Sequence, residues 1–177
     1  MLFRSVEPGL SGTYLIPASA APAFTTVDAE QSTARLERRW PALTPDVFRV
    51  EWTGYLGVDA DDTYTFTLVA DDGARLAIDG TPVVDTGAGR GFFEERRAVP
   101  LARGVHAVRL EYRQEGGDLS FAWMWVRGRG EAAPIESWRL STRRSAWAAQ
   151  QWAHRLDVAF AALLVALLLL AAVTWRE

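Results

Sequence analysis

Two adjacent carboxylates followed by a glycine, Asp71-Asp72-Gly73, stand at the end of an alternating run. That grouping suits a hard cation, which takes several oxygen ligands at once, and it equally suits a polar turn between Leu68 and Leu76. Other polar groupings carry less. Asp59-Ala60-Asp61-Asp62 opens like a calcium loop but lacks the glycine and closing glutamate at the required spacing, so it reads as a solvated turn. Gly87-Ala88-Gly89-Arg90-Gly91 has the glycines of a phosphate-cradling loop, yet Phe92-Phe93-Glu94-Glu95 follows it with no helix start, and it reads as a flexible loop. Glu94 and Glu95 have no spacing that selects a glycosidase acid pair, and Asp79 and Asp85 fit turn chemistry. His106 enters a strand as an edge or hydrogen-bonded histidine. Trp52 and Trp123 alternate with polar neighbours and point inward, whereas Trp40 and Trp125 are less constrained and are the aromatic candidates for ligand contact.

Composition removes whole classes of chemistry. Cysteine is absent and the histidines are two, His106 and His154, far apart in the chain, which excludes disulfides, thiolate chemistry and a Cys/His zinc site. All 19 basic residues are arginine. Without lysine there is no Walker-type phosphate loop and no Schiff base. Residues 1–141 carry 15 arginines against 20 acidic residues, a balance that argues against nucleic acid as a partner.

The elements that must position these residues follow a period of two. Phe48 to Trp52, Tyr64 to Leu68, Val108 to Tyr112 and Leu119 to Trp125 alternate apolar and polar side chains, as half-buried strands do. Gln114-Glu115-Gly116-Gly117-Asp118 reads as a hairpin connection, and Asp79-Gly80 as a second one between Arg75–Ile78 and Thr81–Val84. An antiparallel sandwich or barrel follows, with Phe48, Val50, Trp52, Tyr64, Phe66, Leu68, Leu76, Ile78, Val108, Leu110, Tyr112, Phe121 and Trp123 facing inward. Residues 17–47 read as a long loop with short pieces.

The chain's tail obeys different physics. Val158 to Trp175 is a run of eighteen residues without a charge, bounded by Asp157 and Arg176. As a helix it reaches roughly 27 Å, close to the thickness of bilayer hydrocarbon. Trp147, Trp152 and Trp175 bracket it as interfacial tryptophans do. The expected organisation is therefore a β-sandwich over 1–141, a juxtamembrane helical stalk over 142–157 and a transmembrane helix over 158–175. Met1 to Gly9 holds no apolar stretch long enough for a signal peptide, and Arg143, Arg144 and Arg155 lie on the domain side of the span. Read literally, the positive-inside rule then puts the domain in the cytoplasm.

One ordered series narrows the fold class. Gly9-Leu10 with Gly12 and Tyr14, Phe48 to Leu56, Tyr64-Thr65-Phe66, Asp71-Asp72-Gly73-Ala74-Arg75-Leu76, Ile78-Asp79-Gly80, and Leu101 to Gly104 before Val108 to Tyr112 together resemble the protective-antigen, or PA-fourteen, domain over about residues 7–141. The resemblance implies an all-β antiparallel sandwich found in bacterial glycosidases, glycosyltransferases, toxins and fungal adhesins, often as a non-catalytic carbohydrate-binding module, here expected in the bacterial cell envelope. In the sugar-binding adhesin members an aspartate pair holds a calcium ion that coordinates sugar hydroxyls. That implication makes Asp71 and Asp72 the metal and glycan ligands, with Asp118, beside Glu115, standing in for a loop that uses asparagine in those members, because this sequence has no asparagine. It also places the domain outside the cytoplasm, tethered to the lipid bilayer. Two alternatives stay open: an accessory domain of a larger membrane glycosyltransferase-like protein, or an interaction domain for a membrane-protein partner with no sugar or metal site.

Overall fold

The computed structural model describes residues 7–17, 19, 21–40, 44–87 and 91–174. In chain order it forms β1 (Leu10–Leu15), β2 (Phe24–Asp28), α1 (Thr33–Arg39), β3 (Val47–Val58), β4 (Asp62–Asp71), β5 (Gly73–Ile78), β6 (Thr81–Asp85) and β7 (Phe93–Leu101). There follow β8 (Gly104–Glu115), β9 (Ser120–Arg127), β10 (Ala133–Pro134), β11 (Leu140–Ser141) and the helix α2 (Trp147–Thr174), with single 3-10 turns at Ser137–Arg139 and Arg144–Ala146. The strands make two antiparallel sheets. One has the order β2-β1-β3-β8-β5-β6 with β11 also on β3, and the other has the order β10-β9-β4-β7.

Alternation builds the core between the sheets. Every residue of the expected inward row is buried. The two layers meet through aromatic rings: Trp52 of β3 stacks on Phe121 of β9 with centroids 5.2 Å apart, and Tyr112 of β8 lies 4.7 Å from the same ring. The longest ladder pairs β3 with β8 over the full twelve residues of each, from Val47 opposite Glu115 to Val58 opposite Gly104. At roughly 3.4 Å per residue that ladder spans about 40 Å and defines two distant ends of the sandwich.

The structure corrects one expectation and locates another. The short pieces expected within residues 17–47 are β2 and α1. At five and seven residues these elements are too short to display a period, and α1 is announced only by Ser32, whose hydroxyl accepts the Arg35 N–H at its start. The connection at 114–118 is not a hairpin. β8 pairs with β3 and β5, while β9 pairs with β4 and β10 in the other sheet, so the chain crosses between layers there. By contrast, Asp79-Gly80 does turn a hairpin. Both residues have positive φ, 50° and 79°, which a two-residue turn matched to strand twist requires. Strand β7 carries Glu94, Glu95, Arg96 and Arg97 exposed in succession, the charged composition that keeps a sheet edge from pairing with other chains.

A buried carboxylate fixes the first third of the fold. Asp28, fully buried at the end of β2, accepts hydrogen bonds from the Tyr14 hydroxyl (2.8 Å), the Trp52 indole N–H (2.8 Å) and Arg39 Nε (2.5 Å), and Arg35 Nε stands 3.5 Å away. Burial and the Asp28 charge push the Tyr14 phenol well above its ordinary range. Gly12 makes the room: a Cβ there would lie 2.7 Å from Asp28 Oδ2 and 2.9 Å from the Trp52 ring. Removing the carboxylate strands two guanidinium groups and two donors. Asp28→Ala is expected to cost about 3–5 kcal/mol, the usual loss when one partner of a buried ion pair is deleted. Denaturant unfolding of the full chain checks this, and a loss below about 1 kcal/mol would contradict it.

Candidate functional site

Between β4 and β5 the chain passes from one sheet to the other through a single residue, Asp72. The Asp71–Asp72 peptide is cis. Asp72 is 2% exposed, and among the described residues its carboxylate is met by backbone N–H groups. Its Oδ1 accepts the Gly91 N–H (3.1 Å), its Oδ2 accepts the Glu115 N–H (2.6 Å), and its own N–H donates to the Arg113 carbonyl (3.2 Å). One carboxylate thus joins the β4–β5 passage, the chain before β7 and the end of β8. Gly73 packs closely: a Cβ there would lie 2.8 Å from Arg113 Nη2 and 3.1 Å from the Gly87 carbonyl oxygen, so a larger residue would displace the Arg113 guanidinium. Arg113 in turn pairs with Glu115 (2.7 Å) and donates to the Gly87 carbonyl (3.3 Å). The Tyr112 hydroxyl contacts both the Asp71 carbonyl and Gln114 Oε1, and Gln114 Nε2 donates to the Asp118 carbonyl (3.1 Å). The loop bearing Asp118 is thereby tied to the same end of the sandwich.

Asp71 has a different environment. It is half-buried, and that burial, followed by the negative charges of Asp72 and Asp118, raises its pKa above the ordinary aspartate value. Among the described residues no arginine or histidine forms an ion pair with Asp71, Asp72 or Asp118. Among them, too, no three His, Cys, Asp or Glu side chains come together as a ready metal cage. What the described residues build is one buried carboxylate, Asp72, whose oxygens accept backbone N–H groups, beside the half-buried Asp71 and the exposed Asp118, with no ion-pair partner for any of the three among the described residues. A weakly held hard cation fits this donor set, with the remaining coordination left to ligands from solution.

The aromatic candidates lie elsewhere. Trp40 and Trp125 are each 8% exposed, which corrects the reading of either as a free stacking surface. Trp125 stacks on Tyr64 at 5.2 Å with the Arg139 guanidinium 5.1 Å from its ring, and Trp40 packs edge-on against Tyr14, Phe24 and Phe48. The exposed aromatic at this end is Phe92, at 63%. The register puts it one step past the Ala70–Phe93 pair, level with Asp71, and it follows Gly91, the donor to Asp72. Val47, 43% exposed, sits at the same end opposite Glu115. Sequence reading passed over Phe92 because the glycine-rich stretch before it hides the strand phase. Once Phe93 is in the ladder, alternation turns its neighbour the other way.

The remaining polar candidates are accounted for by local contacts. Asp62 pairs with Arg127 (2.7 Å), and the Arg127 and Thr63 hydrogen bonds hold its carboxyl below the ordinary value. Asp59 pairs with Arg139 (3.3 Å), and Asp61 Oδ1 accepts the Arg103 N–H. Asp79 contacts His106 Nδ1 (2.7 Å) and accepts the Ala107 N–H (2.8 Å) at the far end of β5 from Asp71. Asp85 pairs with Arg75 (2.9 Å) and Glu94 with Arg96 (3.2 Å). Residues 88–90 of the glycine-rich loop lie outside the described residues, as do Trp175 and the first six residues.

Comparison with known proteins converges on one architecture. The model of the PA14 domain family matches residues 6–137. The anti-sigma-I factor RsgI3 of Acetivibrio thermocellus is 33% identical over 85 residues, which are 48% of this chain and 13% of that protein. The chain therefore spans only a small part of that relative's length. Among solved structures, the PA14 domain of the MpAFP antifreeze protein aligns with a TM-score of 0.70 and 18% identity, covering 82% of this chain and 96% of that one. A PA14 sugar-binding domain from an RTX adhesin aligns with a TM-score of 0.66 and 18% identity, covering 77% and 99% respectively.

The two aspartates should respond oppositely to substitution. Asp72→Ala leaves the half-buried Gly91 and Glu115 N–H groups without this acceptor and is expected to cost about 1–3 kcal/mol. Asp71→Asn removes a charge that the fold disfavours. Because the folded-state pKa is raised, ionised Asp71 lowers stability above that pKa and has no effect below the unfolded value. The variant should melt slightly above wild type at pH 7, and the gap should close as pH falls below about 4. Thermal melts of the full chain across that pH range check both. A lower melting temperature for Asp71→Asn at pH 7 would contradict the assignment.

Proposed function

The chain belongs to the PA14 domain family over residues 6–137, and from that membership we propose that it is a non-catalytic glycan-recognition module carried on a membrane helix. The ligand edge is the end of the sandwich that holds Asp71, Asp72 and Phe92. The observation that carries this reading is the pairing, at one end, of Asp71 and Asp72, which have no ion-pair partner among the described residues, with an exposed aromatic ring level with Asp71. Sugar hydroxyls donate to carboxylate oxygens, and the C–H face of a pyranose packs on an aromatic face. The sugar-binding PA14 domain among the structural neighbours supports the same ligand class.

Calcium is the cofactor this reading assigns. It would be held by Asp71 and Asp72, with Asp118 close enough to add charge, and when bound it would neutralise the pair and offer coordination positions to sugar hydroxyls. The rest of the site is the protein's own work: Asp72 anchors the two flanking chain segments, Tyr112 and Gln114 position the loop of Asp118, and Phe92 selects for an apolar sugar face. Weak calcium sites fill outside the cytoplasm, so the domain is placed on the extracytoplasmic side, as part of the cell envelope. α2 is long and apolar enough to cross a bilayer, and its apolar window is unburied. The RsgI3 similarity favours a second setting for the same module, one part of a longer protein resembling an anti-sigma factor.

A glycan array probed with the full chain in lipid nanodiscs, with calcium and then with chelator, tests the reading. Binding is expected with calcium and is expected to fall at least tenfold in Asp71→Asn and in Phe92→Ala. The Phe92→Ala melting temperature should stay within about 2 °C of wild type, because an exposed side chain away from the core contributes little to stability. Absence of glycan binding in both conditions would overturn the proposal.

A further inference from the structure

The membrane helix does not leave the sandwich as a free stalk. Ala146 and Gln150 are buried, Trp147, Gln151 and His154 are half-buried, and the residues between them are exposed. That spacing is one face of a helix, and it stops at His154; from Arg155 to Ala172 every residue is exposed. Trp147, placed by sequence as an interfacial flank, instead covers Gly57: a Cβ at that position would lie 1.7 Å from the Trp147 indole nitrogen. His154 stacks on Trp138 at 4.3 Å with the rings 7° from parallel, and the Arg139 guanidinium stands 4.2 Å from the Trp138 ring. This seam lies at the Val58 end of the β3–β8 ladder, the opposite end from Val47, Glu115 and the aspartate pair.

The seam is shape-complementary but poorly satisfied. Trp147 Nε1 and both the Oε1 and Nε2 of Gln150 are buried with no hydrogen-bond partner, although Gln150 is only 8% exposed. Buried donors and acceptors without partners favour any state that lets water reach them, whereas the Trp147–Gly57 and His154–Trp138 contacts favour closure. The segment that would flex is short. Ser141 is paired with Tyr55 through β11, the helix begins with the turn at Arg144–Ala146, and Thr142–Arg143 joins them. We infer that the contact between the first two turns of α2 and the sandwich is a releasable clasp, closed in this structure, that decides whether the ligand-binding end is held at a fixed attitude above the bilayer or moves on a tether.

Two substitutions should move the clasp in opposite directions. Gly57 has no positive φ, so Gly57→Ala adds a methyl without straining β3 and must expel Trp147. Gln150→Leu replaces the two orphaned groups with apolar surface and should tighten closure. Because the chain has no cysteine, Thr53→Cys and Ala153→Cys, both at exposed positions, can carry spin labels for distance measurement in nanodiscs. The wild-type chain is expected to give a narrow distribution with a broad minor component. Gly57→Ala should convert at least half of the narrow population to broad, and Gln150→Leu should remove the broad component. Identical distributions in all three proteins would overturn the inference, as would a wild-type distribution that Gln150→Leu leaves unchanged or broadens. If Gly57→Ala unfolds the sandwich, the Gln150→Leu comparison decides alone.

Discussion

The structure depends on the passage of the chain from one sheet to the other through a single residue. With β4 ending at Asp71 and β5 beginning at Gly73, no slack exists to absorb an error in the position of Asp72. Its carboxylate is consequently both a structural anchor and the floor of the candidate site. The two roles have one physical origin. A buried charge must be met by donors, and here the donors are backbone N–H groups from Gly91 and Glu115, so satisfying the charge also fixes the chain on either side of the site. Asp71, the residue before it, is half-buried and bears the repulsion of Asp72 and Asp118, and it is there that the proposed ligand would bind.

The antiparallel ladder of β3 and β8 then separates two kinds of work by about 40 Å. At one end lie the aspartates, the loop of Asp118 and the exposed Phe92. At the other, arginine–aspartate pairs such as Arg139–Asp59 and Arg127–Asp62 close the loops, and α2 leans on Gly57 and Trp138. On the proposed reading, a membrane helix fixed at one end would leave the other facing outward, which suits recognition of a large or immobile glycan. Glu94 and Glu95 lie on successive residues of an edge strand and face opposite ways, and His106 is engaged by Asp79 and the Ala102 carbonyl.

Much of this was legible in the sequence because period-two alternation reports burial directly. The inward row was recovered in full, and the same rule, continued from Phe121 through Trp123, would have turned Trp125 inward as well. Partnership between strands was not legible. A glycine-rich turn such as Gly116-Gly117 announces a change of direction, but the sheet that receives the next strand is set by packing across the core, where Phe121 meets Trp52 and Tyr112. Asp28 was hidden for a related reason. A lone aspartate in a short strand resembles surface, and only folding brings Tyr14, Trp52 and Arg39 around it. The Asp71-Asp72-Gly73 turn was visible as a motif. Its division into one anchoring and one charge-bearing carboxylate needed the third dimension.

On the proposed function, ligand binds at the aspartate end of the sandwich. Hydrogen–deuterium exchange of the full chain in nanodiscs, with and without a saturating glycan that it binds, tests this most directly. The account predicts new protection confined to peptides containing residues 69–74, 91–93 and 114–120, with no change around Gly57 unless the helix contact responds to occupancy. Protection centred on the outer faces of the sheets or on the 59–62 and 127–131 loops, with the aspartate end unchanged, would contradict it.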